Sequence, residues 1–490
     1  MSAYPRLCQI ASEIALLESS SATLSWEQET YMPPKALEHR AQQMGYLTGK
    51  CHGLFTSKKF RGLLEKVEAE TELEPVAAAN VREWRRQFDR ATKLSQKLVE
   101  EFSIISSRAK AAWVEARKQS DFSLFAPHLE KLLQLSRKKA DKWGYTTEPY
   151  DALIDEFEPG ARATDIAALF DSLRPQLSSM AKEAVARSAE VPANALEGHY
   201  PVAQQQQLNR EVAASIGFDF EAGRIDTTTH PFCTKLGPRD VRLTTRYDET
   251  DFTSSLFGVL HEAGHGLYEQ GLQPQDYGLP SGTAVSLGIH ESQSRLWENH
   301  VGRSRSFWEH WLPRAKEIFP SLQLSLDEFL RALHRVEYSF IRVEADEATY
   351  DLHILLRFGL ERRLLNNELK IKDLPHAWNE EFANLFGFSP PDDRRGCLQD
   401  IHWSMGALGY FPTYTLGNLN AAQLYAAAMR DEAVKHAFSQ GTYTPLLAWL
   451  RSHVHEKGSA ETPRTIMQNA TEEPTNARWH LDHLRARFLA

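Results

Sequence analysis

The sequence predicts a mainly α-helical protein with one small β-sheet. Long stretches that lack Gly and Pro and carry apolar residues at intervals of three or four predict helices. One stretch, residues 217–248, is instead rich in Thr, Arg, Gly and Pro and predicts two or three short strands. No internal repeat, low-complexity segment or long linker divides the chain, so residues 1–490 are expected to form a single domain.

The elements follow in order from these patterns. Glu13 and Glu18 interrupt the apolar part of the N-terminus, which indicates an amphipathic helix rather than a signal peptide. Residues 77–119 contain neither Gly nor Pro, and their apolar positions follow no strict heptad, so helices packed within one globule are favoured over a coiled coil. Further helices are predicted at 126–143, 164–190 and 202–215, from about residue 253 through the histidine pair, and at 284–302, 326–366, 376–386, 419–437 and 444–456, with a loop after about residue 456.

Composition excludes several classes of function. The 56 basic and 65 acidic residues are mixed along the chain and leave a net charge of −9, which does not favour binding to nucleic acid or to an anionic membrane. No apolar run approaches the roughly 18 residues of a membrane-spanning helix. The four cysteines are isolated, as expected of reduced thiols in a cytoplasmic protein: Cys8, Cys51, Cys233 and Cys397.

The segment HEAGH at 261–265 predicts a metal site. Residues four apart share one face of a helix, so His261 and His265 can direct imidazole nitrogens at one ion. Glu262 lies one position round, where it can reach a water beside that ion without binding the metal. Zinc suits imidazole and carboxylate ligands. Gly264 and Gly266 each cost about 1 kcal/mol of helix propensity, which indicates that something packs closely against this helix.

A third ligand must come from outside this helical face. Glu269 lies about 12 Å along the axis from His261, too far to close around the same ion. Glu291 is the favoured candidate, because a turn around Pro280 would bring the next helix back antiparallel. Glu298 and His290 are its competitors.

The chain also resembles the carboxypeptidase Taq family of metallocarboxypeptidases. The resemblance rests on HEAGH together with HESQ at 290–293, DVRLT at 240–244, IRVEAD at 341–346 and GCLQDIHW at 396–403, and it runs from near the N-terminus to about residue 420. It implies a helical domain with a deep central groove and a small β-sheet beside the HEAGH helix. It also implies a homodimer that removes C-terminal residues from peptides with broad specificity.

The resemblance further implies site residues and a cofactor. It makes His261, His265 and Glu291 the ligands of one metal ion per chain, with Glu262 as the general base. Zinc is the default ion, and cobalt stays an alternative. Arg342 is implied to bind the free C-terminal carboxylate of the substrate, a role that suits the planar fork of a guanidinium. The alternative for Arg342 is a salt bridge to Asp346 on the surface of a helix.

Other residues are candidates for supporting roles. His402, Tyr410 and Tyr414 are available donors for the oxyanion, and ordinary packing is the alternative for the two tyrosines. The DVRLT segment is expected to be an edge strand that receives the peptide in extended form. Asp240 and Arg242 would then bind the substrate or order the active site, with a purely structural ion pair as the alternative.

Three functions are therefore compared. The first is a zinc carboxypeptidase that acts on peptides with a free C-terminus. The second is an oligoendopeptidase with the same metal chemistry, which would tolerate a blocked C-terminus and would not depend on Arg342. The third is a helical scaffold in which the HEAGH match is incidental, which would bind no stoichiometric metal and hydrolyse nothing.

Overall fold

The computed structural model describes residues 3–70 and 72–489, and helices dominate it, as predicted. The α-helices are α1 (Ala3–Thr30), α2 (Leu37–Phe55), α3 (Lys58–Glu68), α4 (Pro75–Lys93), α5 (Gln96–Gln119), α6 (Ala126–Trp143), α7 (Pro149–Ile154), α8 (Ala163–Ser188), α9 (Val202–Ser215), α10 (Phe252–Gly271), α11 (Leu287–Arg295), α12 (Arg305–Ile318), α13 (Leu326–Leu333), α14 (Tyr350–Leu365), α15 (Leu374–Phe386), α16 (Pro412–Ala428), α17 (Glu432–Ser439), α18 (Thr444–His453), α19 (Pro463–Thr471) and α20 (Arg478–Phe488). No helix among these residues is both long and apolar enough to cross a bilayer.

The stretch 77–119 is occupied by two helices, α4 and α5. Ser95 separates α4 from α5 and caps the second helix, because its side chain accepts the backbone N–H of Leu98. A serine at this position satisfies an N–H that has no partner within the helix. The mainly α-helical prediction is confirmed.

The prediction of a single helix at 326–366 is wrong. The structure ends α13 at Leu333 and begins α14 at Tyr350, with one short 3₁₀ turn between them. Asp346 organises the gap, because its half-buried carboxylate accepts the backbone N–H groups of Glu337, Ala348 and Thr349 at 3.0 Å. An aspartate that bonds to nearby backbone offers the chain an alternative to the helical ladder.

The loop predicted after about residue 456 is also wrong, because α19 and α20 occupy most of this tail. The side chain of Thr462 caps α19 by accepting the N–H of Thr465. Pro463 follows at the first helical position, where its fixed φ suits the start of a helix. The His, Glu and Pro residues of this segment predicted a loop, but Ile466 and Met467 are buried and anchor α19.

Three strands form the predicted sheet: β1 (Gly223–Thr227), β2 (Cys233–Gly237) and β3 (Asp240–Thr245). Their order is β1, β3, β2, with β1 parallel and β2 antiparallel to β3. The expectation that DVRLT is an edge strand is therefore wrong. Because β3 is paired on both sides, its backbone cannot receive a peptide, and β1 and β2 are the edge strands.

The residues group into two compact units. The first contains Met1–Ala91, Asn194–Leu333 and Asn420–Thr475, and the second contains Thr92–Ala193, His334–Leu419 and Asn476–Ala490. Each unit has its own apolar core. In the first, Leu260 and Trp297 are fully buried, and in the second, Ile154 and Leu374 are fully buried. The single domain from 1 to 490 and its central groove stay predictions.

The helices α10 and α11 touch at their backbones in the first unit. A Cβ atom on Gly264 would lie 2.5 Å from the carbonyl oxygen of Gln293 and 2.6 Å from the Cα of Ser294. A Cβ on Gly266 would lie 2.8 Å from the ring of Phe218. Close packing therefore explains why both positions are glycine. The contact at Gly264 sets the spacing between α10 and α11.

We expect Gly264→Ala to lower the stability of the apo protein by about 1–3 kcal/mol, because the added methyl group collides with backbone that cannot rotate away. The measurement is the thermal unfolding midpoint. The matched control is Gly258→Ala on the same helix, where the new Cβ lies 3.4 Å from Thr245 Oγ1, an ordinary contact. Its midpoint should stay the same or rise, since Ala favours the helix. Equal effects of both substitutions would contradict the close approach.

Candidate metal centre

The two histidines of HEAGH lie on one face of α10, as predicted, and Glu291 of α11 faces them. Glu291 Oε2 lies 3.8 Å from His261 Nε2 and 3.5 Å from His265 Nε2. The turn expected between the helices is present as two short 3₁₀ segments, Pro274–Asp276 and Pro280–Gly282. Glu291 therefore occupies the position predicted for the third ligand.

These three side chains fit a metal ion. A tetrahedral zinc with bonds of about 2.0–2.1 Å holds its ligand atoms about 3.3 Å apart, close to the separations seen here. Glu291 presents one oxygen to the histidines, because Oε1 accepts from Arg295 Nε at 2.8 Å. Burial lowers the pKa of His265 to about 4, so its imidazole is neutral near pH 7, as a metal ligand must be.

His261 is oriented by the predicted competitor Glu298. Its Nδ1 lies 2.9 Å from Glu298 Oε2, on the side of the ring opposite the candidate site. Glu298 is also within 3.3 Å of Arg295 and 3.6 Å of Arg303. It belongs to a π-helix, Leu296–Val301, that continues α11, a distortion often found at functional sites. Glu298 thus supports a candidate ligand and does not join the trio.

Glu262 is buried beside this trio. Burial raises its pKa to about 7, with the positive charge of His261 opposing the shift and the carboxylate of Glu291 adding to it. At His261, burial lowers the pKa of the imidazole, but the carboxylates of Glu291 and Glu298 outweigh burial and raise the pKa to about 9, so this ring gives up a proton when it binds a metal ion. The site therefore concentrates negative charge where a cation would neutralise it.

Asp240 and Arg242 form an ion pair on β3. Arg242 donates to both carboxylate oxygens of Asp240, at 2.8 and 2.7 Å, and its guanidinium lies over the ring of Trp26 at 4.1 Å from the centroid. The geometry matches the structural alternative for this pair. Because Asp240 remains partly exposed, a substrate contact stays a prediction.

Arg342, His402, Tyr410 and Tyr414 all belong to the second unit. Arg342 does not bind Asp346, so the alternative of a helix-surface salt bridge is wrong. Its Nε and Nη2 donate to Asp400 Oδ1 at 3.0 and 2.8 Å, and its Nη1 donates to the hydroxyl of Tyr350 at 2.8 Å. Sequence reasoning missed Asp400, although it lies in the GCLQDIHW motif.

Asp400 is shared between two buried arginines. Its other oxygen accepts from Arg357 Nε at 2.7 Å, and the side chain of Arg357 is completely buried. Burial by itself would raise the pKa of Asp400, but the two guanidinium groups hold it well below its usual range. Arg357 and Arg342 both hold the carboxylate of Asp400, and the contact with Asp400 fixes the orientation of the Arg342 guanidinium.

The three candidate oxyanion donors come together within the second unit. His402 Nε2 lies 3.4 Å from the hydroxyl of Tyr414, and the ring of Tyr410 lies 5.2 Å from the His402 ring and 5.4 Å from the Tyr414 ring. Burial lowers the pKa of His402 to about 4, so its imidazole is neutral at pH 7.

A buried carboxylate, Glu361, ties down the loop that carries these donors. It accepts from Tyr150 Oη at 2.8 Å, Trp403 Nε1 at 2.7 Å and the backbone N–H of Gly409 at 3.1 Å. Gly409 has a φ of 89°, and a Cβ there would lie 2.9 Å from the backbone of Ile154. Sequence reasoning missed Glu361, which reads as an ordinary helix residue of α14.

Comparisons with known proteins find relatives that match nearly the whole chain. The profile of the family described as carboxypeptidase Taq (M32) metallopeptidase matches residues 6–488. Thermostable carboxypeptidase 1 of Thermus thermophilus is 43% identical, over 100% of this chain and 98% of the relative, and carboxypeptidase 1 of Bacillus subtilis is 36% identical, over 95% and 94%. The crystal structure of an M32 carboxypeptidase from Deinococcus radiodurans superposes with a TM-score of 0.96 at 38% identity, over 99% and 98% of the two chains.

The buried Glu361 predicts a pH-dependent stability. Burial raises its folded-state pKa from the ordinary 4.5 to about 7, so the folded chain holds the proton more tightly than the unfolded chain does. Its contribution to stability is then complete below about pH 4.5 and is lost as the pH rises through about 7. The thermal midpoint of Glu361→Gln relative to that of the unmodified chain should therefore increase from about pH 5 to pH 8. The exposed Glu130→Gln is the control, and a parallel trend in both variants would contradict the assignment.

Proposed function

The chain belongs to the carboxypeptidase Taq (M32) family of metallopeptidases, and on that premise we propose that it removes C-terminal amino acids from peptides with a zinc ion. The ion would be held by His261, His265 and Glu291. The convergence of two Nε2 atoms and one carboxylate oxygen on one point carries this proposal. The donor set suits zinc, and cobalt is the alternative. Membership of a hydrolase family excludes the scaffold hypothesis and favours the carboxypeptidase over the endopeptidase.

Each residue of the candidate site has a defined task in the proposed reaction. When bound, zinc polarises the scissile carbonyl and lowers the pKa of the attacking water. Glu262 takes the proton from that water and passes it to the nitrogen of the leaving amino acid. Arg295 holds Oε1 of Glu291, which leaves Oε2 to bind the metal. His402, Tyr410 and Tyr414 supply donors for the oxyanion, with a hydroxyl as the better donor because the imidazole is neutral.

Arg342 is proposed to bind the C-terminal carboxylate of the peptide. Among the described residues, its hydrogen bonds to Asp400 and Tyr350 use three of the five guanidinium N–H groups. The two remaining N–H groups are the number that a bidentate carboxylate contact requires. Its fixed orientation suits this role, because a guanidinium held in place loses little entropy when the substrate arrives.

Broad side-chain specificity, a homodimer and a cytoplasmic location complete the proposal. The absence of disulfides at all four cysteines supports a reducing compartment. The family resemblance supports the other two statements. Sedimentation of the purified chain tests the dimer, and cell fractionation tests the location.

One unstructured peptide in two forms tests the function. We expect the form with a free C-terminal carboxylate to give a ladder of products shortened one residue at a time, and the C-terminal amide to be cut far more slowly. A chelator should abolish both reactions, and added Zn²⁺ should restore them. Mass spectrometry of the digests is the measurement.

The same digests test Arg342. In Arg342→Gln the preference for the acid over the amide should shrink, because the carboxylate loses its charged partner. Internal cleavage of both peptides by the unmodified chain would indicate an endopeptidase. An unchanged preference in the variant would assign the carboxylate to another residue.

A second set of variants separates the base from the oxyanion donors. Glu262→Gln should lose about 100-fold to 10,000-fold in kcat with its zinc content unchanged, because the isosteric amide cannot accept a proton. Tyr414→Phe and Tyr410→Phe identify the oxyanion donor, and the one that acts directly should lose about 100-fold in kcat. Tyr145→Phe, at an exposed tyrosine, is the control. Full activity in Glu262→Gln would refute the assignment of the base.

A further inference from the structure

The two candidate histidine ligands are supported in different ways on the side away from the metal. His261 Nδ1 contacts a carboxylate directly, Glu298 Oε2 at 2.9 Å. His265 Nδ1 contacts another imidazole, His290 Nδ1 at 2.5 Å. The second nitrogen of His290, Nε2, lies 2.9 Å from Glu269 Oε1. Each histidine is therefore linked to a carboxylate on the side away from the metal. Glu298 contacts His261 directly, whereas the ring of His290 lies between His265 and Glu269.

This chain of contacts permits only one arrangement of protons when His265 binds through Nε2. A neutral imidazole that uses Nε2 as a ligand carries its proton on Nδ1. This N–H of His265 can donate to His290 only if Nδ1 of His290 is unprotonated. A neutral His290 then carries its own proton on Nε2. The Nε2–H of His290 points at Glu269, which accepts it. Each donor in the chain thus meets one acceptor.

Other contacts hold His290 in this position. Lys235 on β2 lies 3.4 Å from the second oxygen of Glu269, which keeps that carboxylate in place. The ring of Tyr268 lies 5.4 Å from the His290 ring, and the rings of His265 and His290 are 4.5 Å apart. His290 precedes Glu291 in α11, so the neighbouring side chains of this helix serve the same site in different ways.

We propose that His290 is a positioning residue rather than a metal ligand. With Glu269 behind it, His290 fixes the tautomer and ring orientation in which His265 presents Nε2 to the metal. The inference rests on the proposed function, since it requires His265 to bind the ion. It gives a role to His290, which the sequence left as a competing ligand, and to Glu269, which the sequence placed too far along the helix to bind the same ion. Groups in this position commonly affect metal affinity about 10-fold to 100-fold.

Two substitutions of His290 can test the contributions of its two ring nitrogens separately. The carbonyl oxygen of an asparagine lies where the Nδ1 of histidine does, so His290→Asn keeps an acceptor for His265 and loses the contact with Glu269. The amide group of a glutamine lies near the Nε2 position, so His290→Gln keeps the contact with Glu269 and loses the acceptor. Both variants remove the ring, and they differ in polar contacts far more than in packing.

The experiment measures the affinity of the apo protein for Zn²⁺ by competition with a chromophoric chelator. Circular dichroism and thermal unfolding of the apo forms check the fold. We expect His290→Gln to bind Zn²⁺ about 10-fold to 100-fold more weakly than the unmodified chain. His290→Asn should recover most of that loss, and Glu269→Gln should show a smaller loss, since its amide oxygen still accepts from His290.

The outcomes separate this inference from the proposed function. If the unmodified chain binds no stoichiometric Zn²⁺, the proposed function fails first. If it binds Zn²⁺ and the two His290 variants lose affinity equally, or not at all, the positioning role is overturned. X-ray absorption of the zinc-loaded chain gives an independent readout: two imidazoles support the inference, and three would make His290 a ligand.

Discussion

The close approach of α10 and α11 is the constraint on which the candidate metal centre depends. Two ligands on one helix leave a metal site incomplete, and Glu291 can complete it only if its helix lies at backbone distance. Gly264 permits that distance, because any larger residue would meet the backbone of Gln293 and Ser294. The helix propensity lost at this glycine is about 1 kcal/mol, a small cost compared with the geometry that it allows.

Buried charge is the second organising principle, and the two units use it in similar ways. In the first unit, Arg295 contacts both Glu291 and Glu298, so one cation holds a candidate ligand and the support of another. In the second unit, Asp400 holds Arg342 and Arg357. Ionised groups are costly to bury unless they are paired and hydrogen-bonded, so such networks fix side chains in one orientation. A binding or catalytic group needs that rigidity.

Irregular backbone carries several of the side chains to which the proposed function assigns a role. The segment between α13 and α14 carries Arg342 and is shaped by the bonds that Asp346 accepts from the backbone. The loop with His402 and Tyr410 is anchored by Glu361, and the π-helix after α11 carries Glu298. Regular helices supply the framework, and these departures from it place individual groups.

The helical class, the sheet region and the shared face of His261 and His265 follow from the sequence, because local periodicity and the geometry of one helix decide them. For the third ligand the sequence favoured Glu291 over two competitors, and that assignment stays a prediction. The sequence also determined the family. Tertiary packing was needed to show that β3 is the central strand, that Arg342 binds Asp400, and that Glu298 and His290 contact the candidate histidine ligands on the side away from the metal. Each of these contacts joins residues of different elements or of distant segments. Periodicity describes only how a segment's own faces differ, so it cannot identify the group that each face will meet.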